Sequence, residues 1–262
     1  LFNFYFILPC FITSIENKAV SDRIKYIEKT HGIKCPHPEP YVPKNIPINK
    51  MIDHTLLASD ATPDKIEKLC SEAKEYKFGA ICVNPCYVKY ASQLLNKSGV
   101  NIASVIDFPL GSSTTDAKVF ITAQAIKDGA TEIDMVLNTG HMKAGLYKEV
   151  FEDIKKIAEE CHKGGALLKV IIEATCLEKE ELIIDACLLS AAAKADFVKT
   201  STGTHATGGA KPEHVKLMRE TVGNKLGVKA AGGIRTKQDA MKMIEAGADR
   251  IGASKGIQIV SA

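Results

Sequence analysis

The sequence has no tryptophan, almost no excess of either charge and, after its first residues, no long apolar run. Lysine and arginine number 34 against 31 acidic residues, and the basic residues are spread along the chain. Nucleic-acid-binding domains usually carry a clustered basic face, so this distribution predicts no nucleic-acid partner. Beyond the N-terminus, no stretch approaches the ~20 apolar residues that a membrane-spanning helix needs. We therefore expect a small-molecule partner and no membrane partner.

Motifs for metal and redox chemistry are missing as well. The eight cysteines contain no CxxC pair, and the seven histidines contain no HxH or HxxxH pair, so the usual zinc-ligand spacings are absent. His54 and His141 could still meet in a folded chain, but we favour a hydrogen-bonded core role for His54, which has Asp53 beside it. The sequence thus predicts no metal ion and no cofactor.

The cysteine count permits two interpretations. An even number is compatible with disulfides in a secreted protein. Cys82, Cys176 and Cys187, however, lie within apolar stretches, where free cysteine is a common core residue. We favour reduced thiols in a cytoplasmic protein, because structural disulfides are rare in that compartment.

The N-terminal part of the chain differs from the rest. Residues 1–15 are strongly apolar, yet too short for a membrane span and without the positive start of a signal peptide. Three interpretations are open: a docked helix or strand, a targeting remnant, or an artificial chain boundary. We favour the first. Residues 16–33 predict a helix, and residues 35–47 hold five of the ten prolines, which predicts an extended linker. We assign residues 1–50 to an N-terminal extension and linker, and residues 51–262 to the main domain.

From residue 51 onward, short apolar runs alternate with longer amphipathic segments. Helical spacing is clear at residues 63–76, 147–163 and 236–247, and glycine follows several of these segments, as is typical of helix ends. The apolar runs predict eight strands, at residues 51–57, 80–85, 102–109, 132–138, 167–173, 196–202, 227–232 and 250–254.

This alternation predicts the fold class. Nearly continuous apolar strands separated by helices imply a parallel sheet that is covered on its outside. Eight such units close into a (β/α)8 TIM barrel, which takes about 250 residues. We predict this barrel as a single α/β domain with a helical N-terminal extension, and an open doubly wound sheet is the alternative.

Two lysines within adjacent predicted strands are the sharpest chemical signal. Lys199 lies in FVKTSTG, and Lys229 lies in GVKAAGG on the next strand. A buried lysine loses part of its preference for the charged form, and two neighbouring ammonium groups repel each other. A neutral amine is a nucleophile toward a carbonyl group. Electrostatics alone does not decide which lysine is the nucleophile, and a lysine that extends to solvent at the strand end is the alternative.

An acidic residue and a third lysine accompany this pair. Asp134 alternates with apolar neighbours in EIDMV, so it should face into the barrel if Ile133 and Met135 face outward. Lys169 follows one strand later in LLKVIIE and is placed to pair with Asp134. Such a pair is either a proton shuttle next to the reacting amine or a buried structural ion pair.

Glycine-rich segments follow the seventh and eighth predicted strands. Backbone amides at such glycines and at helix N-termini bind phosphate, and barrels often carry a phosphate site at this place. No P-loop motif GxxxxGK[ST] occurs. The candidate phosphate contacts here are Gly232, Gly233, Arg235, Gly252 and Ser254.

The motifs MIDHTLL, ICVNP, EIDMVLN, LLKVIIE, FVKTSTG and GVKAAGGIRT occur in this order, and over residues 50–254 the sequence resembles the deoxyribose-phosphate aldolase family. The resemblance implies a cytoplasmic, homodimeric lyase on a TIM barrel, a class I aldolase without metal or cofactor. It implies reversible cleavage of 2-deoxy-D-ribose 5-phosphate to D-glyceraldehyde 3-phosphate and acetaldehyde in deoxyribonucleoside catabolism.

The same resemblance implies roles for individual residues. Lys199 forms the Schiff base, Lys229 perturbs it, Asp134 takes part in proton transfer, and Lys169 orients Asp134. The implied phosphate contacts are Gly203, Gly232, Gly233 and Ser254.

Two departures from the family pattern stand out. Thr204, which we include among the candidate phosphate-binding residues, stands where some relatives carry lysine, so one phosphate contact is lost or replaced there, with Lys255 or Arg235 as substitutes. Some relatives also end in a tyrosine that assists proton transfer, whereas the last tyrosine here is Tyr147. Two other functions stay open, namely a different phosphosugar enzyme on the same fold and a catalytically silent phosphosugar-binding barrel.

Overall fold

The computed structural model describes residues 17–261, and its centre is a closed barrel of eight parallel strands in sequential order. Each strand pairs with the next, and the last pairs with the first. The strands are β1 (Ile52–Leu56), β2 (Ala80–Val83), β3 (Asn101–Ile106), β4 (Glu132–Val136), β5 (Leu167–Ile171), β6 (Phe197–Lys199), β7 (Gly227–Ala231) and β8 (Arg250–Ala253).

Helices connect these strands and cover the barrel. They are α1 (Lys18–His31), α2 (Ile48–Met51), α3 (Pro63–Glu75), α4 (Val88–Leu94), α5 (Thr115–Lys127), α6 (Thr139–Lys143), α7 (Tyr147–Lys163), α8 (Ala174–Leu177), α9 (Glu180–Ala192), α10 (Pro212–Val222), α11 (Lys237–Glu245) and α12 (Gly256–Val260), with a 3-10 turn at Pro85–Tyr87. All eight predicted strands and the predicted barrel are confirmed, and closure excludes the open doubly wound alternative.

The two faces of the barrel strands differ in chemistry. Side chains such as Ile133, Met135, Leu168 and Val170 belong to the large apolar layer between strands and helices. Inside the barrel, a small apolar cluster around Cys82 lies on β2 and β3. Charged side chains from the other strands also face the interior, and because successive strand residues point to opposite faces, this alternation positions the site described below.

The N-terminal helix packs onto the outside of the barrel. Its apolar side chains Val20, Ile24 and Ile27 are buried in the same apolar layer as the barrel helices, and α1 contacts α9. Residues 35–47 form neither helix nor strand, as the prolines predict, and their role as a linker stays a prediction. The apolar segment 1–15 lies outside the described residues, and the division of the chain at residue 50 stays a prediction.

The cysteines and the helix lengths bear on two further expectations. All seven cysteines within residues 17–261 are free thiols; Cys82 and Cys187 are buried and Cys176 is half-buried. Within the same residues, no helix is both long and apolar enough to cross a membrane.

A buried carboxylate fastens α1 to the barrel. Asp185 in α9 is fully buried, and Arg23 of α1 donates two hydrogen bonds to it, one from Nε at 2.7 Å. The Tyr147 hydroxyl donates a third bond. Burial raises the pKa of Asp185, and Arg23 opposes that shift.

We expect Arg23→Ala to lower the free energy of unfolding by about 2 kcal/mol, because the buried carboxylate loses its cation. The cost stays below that of a fully buried pair, since the Arg23 side chain is partly exposed. Urea unfolding measures this change. Lys25→Ala, at an exposed position of the same helix, is the matched control and should cost less than about 0.5 kcal/mol. Equal losses in the two variants would contradict the assignment.

Candidate active site

Charged side chains from six of the eight strands meet inside the barrel. All of them lie on the inward face and are buried or nearly so. We call them the barrel charge cluster; its members are Asp53, Glu132, Asp134, Lys169, Lys199, Lys229 and Arg250.

Asp134 is the centre of the barrel charge cluster, because three lysines share its carboxylate. Its Oδ1 accepts from Lys169 Nζ at 2.7 Å. Its Oδ2 accepts from Lys199 Nζ at 2.8 Å and from Lys229 Nζ at 2.7 Å. Strand register explains this meeting. Asp134 lies directly opposite Lys169 on the neighbouring strand, and Lys199 lies directly opposite Lys229. The structure therefore places the four predicted catalytic residues together.

Three further members extend the cluster toward the N-terminal ends of the strands. Asp53 accepts hydrogen bonds from Lys229 and from Arg250 Nε, the latter at 2.8 Å. Glu132 lies 2.5 Å from Lys169 Nζ and accepts from Arg250 at 3.2 Å. Sequence reasoning did not identify these three side chains as members. The same two-residue alternation that placed Asp134 inward applies to them, so the signal was present.

The pKa values of the cluster reflect competition between burial and charge. Burial alone would raise the pKa of Asp134, but Lys169, Lys199 and Lys229 outweigh it and hold that pKa well below its usual range. Burial of Asp53 is likewise outweighed, first by Arg250 and then by Lys229, so its pKa is lowered. Burial would lower the pKa of Lys229, yet Asp134 and Asp53 raise it.

Lys199 is the least constrained cation of the cluster. Lys169, Lys229 and Arg250 each contact at least two carboxylates of the cluster. Lys199 contacts Asp134 alone among them, and it is the last residue of β6. Barrel active sites lie at the C-terminal ends of the strands, so Lys199 occupies the reactive side of the cluster.

Two glycine-bearing loops, which follow β6 and β7, contact each other at the C-terminal ends of these strands. We call residues 200–211 the β6 loop and residues 232–236 the β7 loop. Ala231 O accepts from Thr200 Oγ1 at 3.2 Å and from Ser201 Oγ at 3.0 Å, which ties the β6 loop to β7. Gly203 and Gly232 then face each other so closely that a Cβ on Gly232 would lie 2.9 Å from Gly203 Cα.

The other predicted phosphate contacts occupy different positions. Gly233 is exposed, with φ of 80° and open space around it. Arg235 and Ser254 are exposed after β7 and β8. Gly252 does not join the loops, because it lies inside β8, where a Cβ would lie 3.2 Å from Lys229 Cε.

Thr204 occupies the place of the lysine that some relatives carry, and its own contacts are local. Its backbone N donates to Thr202 Oγ1 at 3.2 Å. The two hydroxyl groups are 3.1 Å apart. Thr204 therefore belongs to the turn that carries Gly203.

The histidines lie away from the cluster. His54 Nε2 is 2.7 Å from Glu72 Oε2, and its ring packs against Phe78, which confirms the hydrogen-bonded core role. His141 lies in α6, where its backbone N bonds to Asn138. Across residues 17–261, no group of three or more His, Cys, Asp or Glu side chains is arranged to hold a metal ion.

A closed (β/α)8 barrel that holds three buried lysines around one carboxylate, with one lysine at the C-terminal end of its strand, defines a barrel enzyme. The family model described as DeoC/LacD family aldolase matches residues 48–262. The chain belongs to the DeoC/LacD family of aldolases.

Known proteins of the same kind are similar over most of the chain. A deoxyribose-phosphate aldolase of Clostridium novyi is 55% identical over 81% of this chain and 95% of its own length. A counterpart from Staphylococcus haemolyticus is 54% identical over 80% of this chain and 94% of its own length. The deoxyribose phosphate aldolase of Aeropyrum pernix, described as a tetramer, has a TM-score of 0.76 at 35% identity and covers 82% of this chain and 89% of its own.

The contact of the β6 and β7 loops can be tested with a matched pair of glycines. Gly232→Ala combines a positive φ of 90° with backbone atoms 2.9 Å from the new Cβ, whereas Gly233→Ala has a positive φ of 80° and no neighbour within 4 Å. We expect Gly233→Ala to cost about 1 kcal/mol of unfolding free energy and Gly232→Ala at least about 2 kcal/mol. Equal costs would show that the loops are not in contact.

The lowered pKa of Asp53 predicts a pH-dependent stability. Unfolded aspartate has a pKa of about 3.9, so the Asp53 carboxylate stabilises the fold above that pH, and this stabilisation is lost as pH falls through the lower folded-state pKa. We expect Asp53→Asn to cost about 3 kcal/mol above about pH 5, with the gap to the original protein narrowing below about pH 4. Urea unfolding across this range measures the gap, and a constant gap would contradict the prediction.

Proposed function

We propose that the chain is a class I, metal-independent aldolase that cleaves 2-deoxy-D-ribose 5-phosphate reversibly into D-glyceraldehyde 3-phosphate and acetaldehyde. The observation that carries the proposal is the position of Lys199 at the C-terminal end of β6, where its Nζ lies 2.8 Å from the buried Asp134 carboxylate. Membership of the DeoC/LacD family and the names of its relatives support the substrate.

The charge balance of the barrel favours Lys199 over Lys229 as the nucleophile. With every member ionised, four cations face three carboxylates, so the barrel charge cluster holds one surplus positive charge. Loss of a proton from Lys229 would remove the cation that Asp53 and Asp134 share. Both carboxylates raise the pKa of Lys229 and so oppose that loss. Lys199 contacts a single carboxylate, so using its amine as the nucleophile breaks the fewest ion pairs of the cluster.

The reaction begins with the neutral amine. Lys199 Nζ adds to C1 of the open-chain sugar, and loss of water gives an iminium. The C2–C3 bond then breaks as its electron pair moves into the iminium to form an enamine. The C3 hydroxyl loses its proton and becomes the aldehyde of D-glyceraldehyde 3-phosphate. Protonation of the enamine at C2, followed by hydrolysis, releases acetaldehyde and restores Lys199.

Asp134 carries the protons in this scheme, and two lysines position it. The carboxylate has a low pKa and is by itself a weak base. Lys169 and Lys229 stay charged and orient the carboxylate beside Lys199 by hydrogen bonds of 2.7 Å. We therefore assign proton transfer to Asp134 acting through a water molecule, with these lysines as its positioning groups.

The substrate phosphate is assigned to the β6 and β7 loops and the segment after β8. Gly203, Gly232 and Gly233 adopt positive φ values there, which permits their backbone amides to surround an anion. Arg235 and Lys255, which are exposed after β7 and β8, replace the positive charge absent at Thr204. This contact holds the sugar in register and contributes orientation to catalysis.

We also propose a cytoplasmic location and a role in deoxyribonucleoside catabolism, with no nucleic-acid or membrane partner. The homodimer is also a proposal, and the Aeropyrum pernix relative is described as tetrameric.

Borohydride trapping tests the mechanism. We expect reduction in the presence of acetaldehyde or 2-deoxyribose 5-phosphate to leave an adduct on Lys199, located by peptide mass mapping. Lys199→Ala should give no adduct and lose about 10⁴-fold in kcat, whereas Lys229→Met should still be trapped on Lys199. An adduct on Lys229 would reverse the two lysine roles, and no adduct in folded protein would refute the aldolase proposal.

A further inference from the structure

Glu173, directly after β5, has features that the mechanism above does not use. Its side chain is buried, with 3% exposure, at the C-terminal end of the barrel. Its backbone is left-handed, with φ of 51° and ψ of 56°. Its Oε1 has no hydrogen-bond partner among the described residues. A strained non-glycine backbone and an unsatisfied buried oxygen both cost free energy, and such costs concentrate at functional sites.

The backbone around Glu173 contains one residue more than its partner strand. Ile172 N donates to Lys199 O at 3.0 Å. Ala174 N donates to Thr200 O at 2.8 Å. The two donors are two residues apart, whereas the two acceptors are consecutive. Glu173 is therefore the inserted residue of a β-bulge, a feature common next to active sites.

The carboxylate of Glu173 holds the first turn of the β6 loop. Its Oε2 accepts from Thr202 N at 3.1 Å and from Thr202 Oγ1 at 2.6 Å. Thr202 Oγ1 in turn accepts from Thr204 N. Gly203, between these threonines, is the residue that faces Gly232. Glu173 thus fixes the β6 loop from the β5 side, while the bonds to Ala231 fix it from the β7 side.

The charge of Glu173 indicates how it acts. A carboxylate next to an anion subsite would repel a phosphate, so a direct contact with that group is unfavourable. Its effect on the ligand must therefore pass through the loop that it holds. Because amide–anion contacts depend on geometry, a small displacement of Gly203 weakens them.

We propose that Glu173 is a positioning residue for the phosphate subsite, which holds Thr202 so that Gly203 and Gly232 present their amides to the substrate phosphate. This inference rests on the proposed aldolase function. It assigns to Glu173 an effect on the binding of phosphorylated substrate and none on the chemistry at Lys199.

The test compares 2-deoxyribose 5-phosphate with unphosphorylated 2-deoxyribose. We expect Glu173→Ala to raise KM for the phosphorylated sugar about tenfold and to change kcat less than about threefold. For 2-deoxyribose, kcat/KM should change less than about twofold, and borohydride trapping with acetaldehyde should be unaffected.

Two further variants separate positioning from folding. Glu173→Gly relieves the left-handed strain and removes the carboxylate, so it should fold and still show the KM effect. Glu173→Gln keeps one acceptor oxygen for Thr202 and should recover most of the loss. Glu178→Ala is the control, because Glu178 also has positive φ, of 65°, but its side chain is 71% exposed and pairs with Lys143.

The outcomes distinguish the two proposals. If the unaltered protein cleaves neither sugar and traps no adduct, the aldolase proposal fails. If it cleaves 2-deoxyribose 5-phosphate, but Glu173→Gly affects both sugars equally or neither, the role of Glu173 is overturned.

Discussion

The sharing of one carboxylate by three lysines is the interaction on which the rest of this barrel depends. Asp134 lies within 2.8 Å of Lys169, Lys199 and Lys229 in a fully buried position. Three ammonium groups without it would repel one another in a poorly solvated interior. The carboxylates of Asp53 and Glu132 are then required as well, because Asp134 alone cannot neutralise the lysines around it.

This constraint also assigns different chemistry to residues of the same type. A lysine between two carboxylates stays charged and acts as a fixed cation, which describes Lys229 and Lys169. Lys199 differs from both, because it shares a single carboxylate and lies at the C-terminal end of its strand. Closure of the barrel makes the distinction possible, since it brings β1, β4 and β7 within reach of one another inside a single ring.

Most of the fold could be predicted from the sequence, because a parallel barrel repeats one pattern eight times. The strands followed from the apolar runs, and the meeting of Asp134 with Lys169 and of Lys199 with Lys229 followed from neighbouring strands. Contacts that depend on closure of the barrel, such as that of Lys229 with Asp53, join residues 176 positions apart, and no local pattern reveals them. Glu173 was missed for another reason, since a bulge interrupts the alternation on which the reading of strands relies.

Several strands of this barrel are followed by residues with positive φ. Asp107 after β3 and Glu173 after β5 have φ values of 50° and 51°, and Gly203 and Gly232 after β6 and β7 are also left-handed. Both carboxylates hold the loop that follows or adjoins them, Asp107 through Ser113 and Glu173 through its neighbour on β6. The closed ladder of the strands supplies a rigid base for such conformations. The strands thus fix the barrel charge cluster, and the strained residues after them fix the loops that lie over its C-terminal side.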